Sequence, residues 1–200
     1  MKRFSLLLTA LIAISLLSIP GALTAGTVEG TITVKGARDA RDAVIYVDKI
    51  DGKAFEAPKE HAKIDQKNMV FIPHVLPVLA GTRVDFHNSD AVLHNVFTPD
   101  RVADKFNLGT WPQGQVKSYT FKNVGSAVML CNVHPEMEAF VVVLPTPYFA
   151  KTGPDGKFRI EGVPAGTHTV KVWHEKLKAQ AVSVAVPAEG AATVSFALSK

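Results

Sequence analysis

A sulfur, an imidazole and a thioether stand within seven residues of one another in the segment Cys131-x-x-His134-x-x-Met137, between an apolar stretch ending at Cys131 and another beginning near Ala139. Offered from one tight turn, these groups make a soft, polarisable donor set. It suits copper cycling between Cu(I) and Cu(II) better than magnesium, calcium or manganese. A fourth ligand has to come from another loop. His94, which follows the loop at residues 88–91, is the candidate, because the ends of β-sandwiches bring separate loops together. Cys131 is the single cysteine of the chain. In an exported protein an unpaired thiol invites oxidation, so Cys131 is expected to be buried or held by a metal.

The motif pair Asn88-x-Asp90-x-x-x-His94-Asn95-Val96 and Cys131-x-x-His134-Pro135-x-Met137, introduced by Phe71-x-Pro73 and Val78-x-x-Gly81-Thr82-x-Val84, resembles the blue copper proteins, or cupredoxins. The two-residue spacings of the second motif look most like amicyanin; plastocyanin and pseudoazurin have longer ones. The resemblance implies a Greek-key sandwich holding one type 1 copper ion. His94, Cys131 and His134 would be its equatorial ligands and Met137 its long, weak axial ligand, with Asn95 fastening the two ligand loops near the thiolate. Three strong ligands in a near-trigonal plane plus a weak fourth lie between the geometries preferred by the two copper oxidation states, so fast one-electron exchange is implied. One departure stands out: a proline directly precedes the ligand histidine in amicyanin, whereas Val133 does here, leaving an additional backbone N–H near the site.

Other uses of the donor set leave different marks. A carrier or storage protein that hands over copper itself favours methionine clusters, and only Met69, Met129 and Met137 follow residue 25. Zinc held by Cys131, His94 and His134 would leave Met137 without a role. Substrate chemistry needs an open coordination position or a second metal, and no His-x-His pair occurs, so an electron carrier is expected rather than an enzyme. The remaining histidines, His61, His74, His87, His168 and His174, read as solvent-facing or satisfied at strand ends. His74, after Phe71-x-Pro73, is the one that invites inspection. Trp111 reads as a loop anchor.

The elements that must position these residues are strands. Apolar alternation of period two recurs at Val28, Ile32 and Val34, from Val116 to Phe121, at Phe140, Val142 and Leu144, and through the tail to Leu198. Turn chemistry separates the runs, and a short helix is predicted only over 101–106. The fold class is all-β: a Greek-key sandwich plus a second small β-sandwich. Residues 62–146 can close the copper-binding sandwich alone. Residues 147–200 are too few for a self-sufficient one, so 27–57 are expected to join them in a discontinuous domain. The alternative is a copper domain over 26–146 with 147–200 appended. The tail from Thr152 to Val172 resembles the carboxypeptidase regulatory-like (transthyretin-like) sandwich, whose first strands are similar to 26–32 and 42–46. That resemblance implies a spacer or scaffold without a catalytic constellation.

Lys2-Arg3, the apolar stretch from Phe4 to Ile19, Pro20-Gly21 and the small residues up to Ala25 have the layout of a secretory signal over 1–25. The expectation is a bacterial periplasmic protein with no membrane span after cleavage. Its partners would be redox proteins such as a dehydrogenase, a cytochrome or an oxidase. Nucleic acid is not expected as a partner: the formal net charge is only +4, and no Lys/Arg run exceeds two residues.

Overall fold

A computed structural model describes residues 25–200; the signal expected over 1–25 therefore lies, but for Ala25, outside the described residues. The first strands are β1 (Ala25–Lys35), β2 (Val44–Val47), β3 (Ala62–Lys67), β4 (Val70–Ile72), β5 (Val75–Leu79) and β6 (Thr82–Asn88). Next come β7 (His94–Phe97), β8 (Asn107–Trp111), β9 (Val116–Phe121), β10 (Gly125–Leu130) and β11 (Glu138–Leu144). Five follow: β12 (Phe149–Lys151), β13 (Lys157–Pro164), β14 (Gly166–Trp173), β15 (Gln180–Val186) and β16 (Ala191–Ser199).

Four sheets form two sandwiches. One pairs the sheet β5-β11-β10-β7-β8 with β4-β3-β6-β9. Their inward residues, among them Ile64, Phe86, Trp111, Phe121 and Met129, make one core. The other pairs β13-β1-β16 with β12-β2-β14-β15 around Val28, Ile45, Phe158, Val170 and Phe196. Strands β1 and β2 thus share sheets with strands that follow residue 148. Among the described residues no helix is long and apolar enough to cross a membrane.

Over 101–106 the structure holds only a 3-10 turn, Arg101–Ala103. Asp104 and Lys105 take left-handed φ values of 55° and 52°, which end the turn before an α-helical repeat can begin.

Strand β11 joins the two sandwiches. Its Ala139, Val141 and Val143 face the core of its own sandwich, while Val142 and Leu144 pack with Val75 and with Val44 of β2 in a third cluster between the sandwiches. Phe140, Tyr46, Phe149 and Trp173 extend that seam. Polar contacts reinforce it. The Thr146 hydroxyl donates to the Val47 carbonyl at 2.6 Å, and the Lys151 ammonium donates to the Val75 carbonyl at 2.9 Å while pairing with Asp42 at 3.0 Å.

Strand β1 lies antiparallel to β13 and parallel to β16, with Gly30 opposite Phe158 and Val194. A Cβ at Gly30 would fall on the Val194 carbonyl. Gly30→Ala should therefore cost about 1–3 kcal/mol through overpacking, read from the urea unfolding midpoint. On β6, Asp85 accepts from Ser118 Oγ at 2.6 Å and faces His61 Nδ1 at 3.0 Å. Burial pulls this carboxyl upward, but the bonds from Ser118 and His61 outweigh it and hold it below the ordinary carboxylate range. Its contribution to stability is complete above that range and fades as pH falls through the lowered value. Asp85→Asn should accordingly flatten the loss of stability below about pH 4, measured by denaturation across pH.

Candidate metal centre

The residues of the two sequence motifs meet at one end of the first sandwich. His94 opens β7, Cys131 follows β10 directly and Met137 immediately precedes β11. The loop before His94 is organised by Asn88, 2% exposed. Its amide donates to the Val92 carbonyl at 2.8 Å and the Trp111 carbonyl at 2.9 Å, and its oxygen accepts from the Asp90 N–H at 2.9 Å. The loop after Cys131 is tightened by the Met137 N–H, which donates to the His134 carbonyl at 3.0 Å.

The ring of His94 is fully buried, and its Nε2 lies 2.9 Å from Asp90 Oδ2. The same carboxylate accepts the N–H groups of Asn68 at 2.7 Å and Met69 at 2.9 Å, two consecutive residues with φ of 57° in the turn between β3 and β4. Burial alone would raise the Asp90 carboxyl; the bonds from Met69, His94 and Asn68 outweigh it and hold it below the ordinary carboxylate range. Because an ionised carboxylate only accepts, Nε2 carries a proton toward Asp90, and Nδ1 is the nitrogen turned to the second loop.

That Nδ1 is 3.1 Å from Nδ1 of His134, whose ring is half-buried. Ring nitrogens facing at this distance share either a proton or a cation. Cys131, 3% exposed, supplies the third group: ligand atoms of His94, Cys131 and His134 all lie within 4.8 Å of one another. Met137, 1% exposed, is buried in the same core as Cys131. One sulfur and two imidazole nitrogens converging from two loops, with a thioether in the adjoining core, are the donors a copper ion takes.

Asn95 clasps the loops together. Its N–H points to Cys131 Sγ at 3.5 Å, and its side-chain oxygen accepts from the Asn132 N–H at 3.2 Å. Its amide donates to Asn107 Oδ1 at 2.9 Å and the Gly109 carbonyl at 2.8 Å. Sequence reasoning placed Asp90 in a motif without a role and passed over Asn107. The only mark for Asp90 is a carboxylate four residues before the histidine. The other histidines stay outside this cluster. His61 faces Asp85, His168 Nε2 lies 2.8 Å from the Pro164 carbonyl, and His174 Nδ1 accepts from the Lys176 N–H at 3.0 Å. Trp111 is a core residue, 1% exposed, at the end of β8 and opposite His94 in register.

Replacing Asn95 by leucine leaves the Asn132 N–H and the Gly109 carbonyl without this partner. A loss of about 1–3 kcal/mol should follow, read from thermal unfolding of the metal-free protein.

Residues 58–144 match the family model of copper binding proteins of the plastocyanin/azurin family, and residues 134–199 match that of the carboxypeptidase regulatory-like domain. The two matches overlap on β11. No curated protein matches the chain. Among solved structures, a reduced amicyanin variant is 28% identical over 44% of this chain and 86% of its own, with a TM-score of 0.41. A purple cupredoxin from Nitrosopumilus maritimus is 25% identical over 41% of this chain and 98% of its own, with a TM-score of 0.38. A copper-containing nitrite reductase from Thermus scotoductus is 23% identical over 50% of this chain and 25% of its own, with a TM-score of 0.42. The chain therefore carries a copper-binding domain of the plastocyanin/azurin family together with a carboxypeptidase regulatory-like domain.

Proposed function

We propose that the chain is an exported type 1 copper protein that carries single electrons between redox proteins of the bacterial periplasm. In this reading 1–25 are the signal, 62–146 the copper domain, and 27–57 with 147–200 an outer sandwich that orients it. The pairing of β1 with β13 and β16, and of β2 with β12 and β14, supports that division. His94, Cys131 and His134 would hold one copper ion strongly and Met137 weakly. The observation that carries the reading is the approach of the Cys131 thiol to both imidazoles, all within 4.8 Å.

Bound there, copper supplies a one-electron couple. The chain's own residues do the rest. Asp90 fixes the tautomer and orientation of His94, and Asn95 holds the two loops against rearrangement. Exposed apolar side chains precede each imidazole: Val92 and Leu93 before His94, and Val133 before His134. Such a rim keeps water from the buried edge of the site and gives a partner protein an apolar surface on which to dock. An electron carrier needs that short-lived contact rather than a substrate pocket.

Titration of the purified protein with Cu(II), followed by visible and EPR spectroscopy, tests the reading. An intense thiolate-to-copper charge-transfer band with narrow hyperfine splitting is expected at one ion per chain, and Cys131→Ser should abolish it. A colourless protein that binds only Cu(I) would overturn electron transfer in favour of copper carriage.

A further inference from the structure

His74, between β4 and β5, is held by an acceptor at each ring nitrogen. Nδ1 lies 3.1 Å from the backbone carbonyl of Glu138, and Nε2 lies 3.1 Å from Oε2 of Glu175. Burial raises the Glu175 carboxyl, but the bonds from Lys176 and His74 outweigh it and keep the group below the ordinary carboxylate range. A carbonyl and an ionised carboxylate can only accept, so a ring that makes both bonds carries a proton on each nitrogen.

A divalent metal is the other species that could bridge His74, Glu138 and Glu175, whose ligand atoms lie within 4.8 Å of one another. The Lys176 ammonium argues against it, standing 2.9 Å from Oε1 of Glu175. That ammonium already occupies one oxygen of the Glu175 carboxylate, and with a ring protonated on both nitrogens no excess negative charge is left to draw a dication. Glu138 and Glu175 face the ring, and Lys176 and His174 stand beside Glu175.

The groups joined here belong to different parts of the molecule. Glu175 follows β14 in the second sandwich, whereas Glu138 opens β11 and directly follows Met137. The backbone of His74 grips β11 again two residues on, its carbonyl accepting from the Phe140 N–H at 2.8 Å. The ring stands edge-on to Phe140 with centroids 5.6 Å apart, and Phe140 tilts against Trp173 of β14 at 5.6 Å.

We propose that His74 is a positioning residue: an imidazolium latch through which the outer sandwich fixes the first residue of β11 and, with it, the thioether of Met137. The proposal rests on the copper reading only in that Met137 is then a ligand whose position matters.

The test uses the metal-free full chain labelled with 15N in histidine and 13C in the methionine methyl groups, at about pH 6. Both ring nitrogens of His74 should carry protons. In Glu175→Gln the ring should lose one of them and the Met137 methyl resonance should move, while the exposed Met69 methyl stays in place. Breaking the Lys171–Asp48 pair elsewhere in the outer sandwich, by Lys171→Met, should move neither. A bare nitrogen on His74 in the unmodified protein overturns the latch, and so does a Met137 methyl indifferent to Glu175→Gln. Should that variant fail to fold, the ring nitrogens of the unmodified protein still decide. In the copper-loaded protein Glu175→Gln should also alter the rhombicity of the EPR signal. A chain that takes up no copper refutes the copper reading and leaves the two NMR observations to judge the latch.

Discussion

Strand β11 has no face left to water between Ala139 and Leu144, apart from partly buried Phe140, and the placement of the candidate metal centre depends on that. Ala139, Val141 and Val143 share a core with Cys131 and Met137, while Val142 and Leu144 lie in the seam against Val44 and Val75. Fully burying one such valine or leucine is worth about 1.5–3 kcal/mol, so packing from both sides holds this strand firmly. A slip of one residue would send each side chain into the wrong core, which fixes the register of β11 and hence the end of the loop that carries Met137.

Gathering candidate ligands at the end of such a sandwich means burying polar groups, and the structure meets that demand with pairs. Asn88, His94 and Asn95 are each 2% exposed or less, and each is tied to a partner in another loop or strand. Unmade, each such bond would cost about 1–3 kcal/mol, so the loops are stiff because their alternatives leave polar atoms stranded. Asp90 links the turn between β3 and β4 to His94. Its charge is held by two consecutive backbone N–H groups, an arrangement that favours an anion without spending another side chain. For the proposed electron carrier, such a stiff cage means that little has to move when charge arrives.

How far these features could be read in the residues depended on distance along the chain. Cys131, His134 and Met137 lie in one turn, so their spacing alone announces a soft donor set. His94 lies on another strand; only the general meeting of loops at sandwich ends makes it a candidate, and its equatorial role comes from the family resemblance. The part played by Asp90 depends on a backbone turn at Asn68 and Met69 that no local pattern marks. Period-two alternation located the strands because the outer faces of most sheets meet solvent. It said less about β11, where both faces are apolar: the set Phe140, Val142 and Leu144 looks toward the seam, and the residues between them look toward the core of the first sandwich. The 3-10 turn at Arg101–Ala103 was beyond pattern reasoning for a different reason. Its end is set by left-handed backbone at Asp104 and Lys105, neither of which is glycine. The meeting of His74 with Glu175 joins residues from different sandwiches, and only the packing of one against the other brings them together.

The parallel pairing of β1 with β16 sets an order of events in folding. Thr27 stands near the beginning of the polypeptide, yet its partner in the sheet is Ala191. Strands β3 to β11 find their neighbours among themselves, with modest loops to close, whereas β1 has no neighbour until β13 arrives and gains its second only with β16. The sandwich that holds the candidate metal centre can thus reach its native topology while the first strand is still an unpaired ribbon. The closing of the outer sheet becomes the last act of folding, so a truncation that removes β16 would strand the beginning of the polypeptide as well as its end.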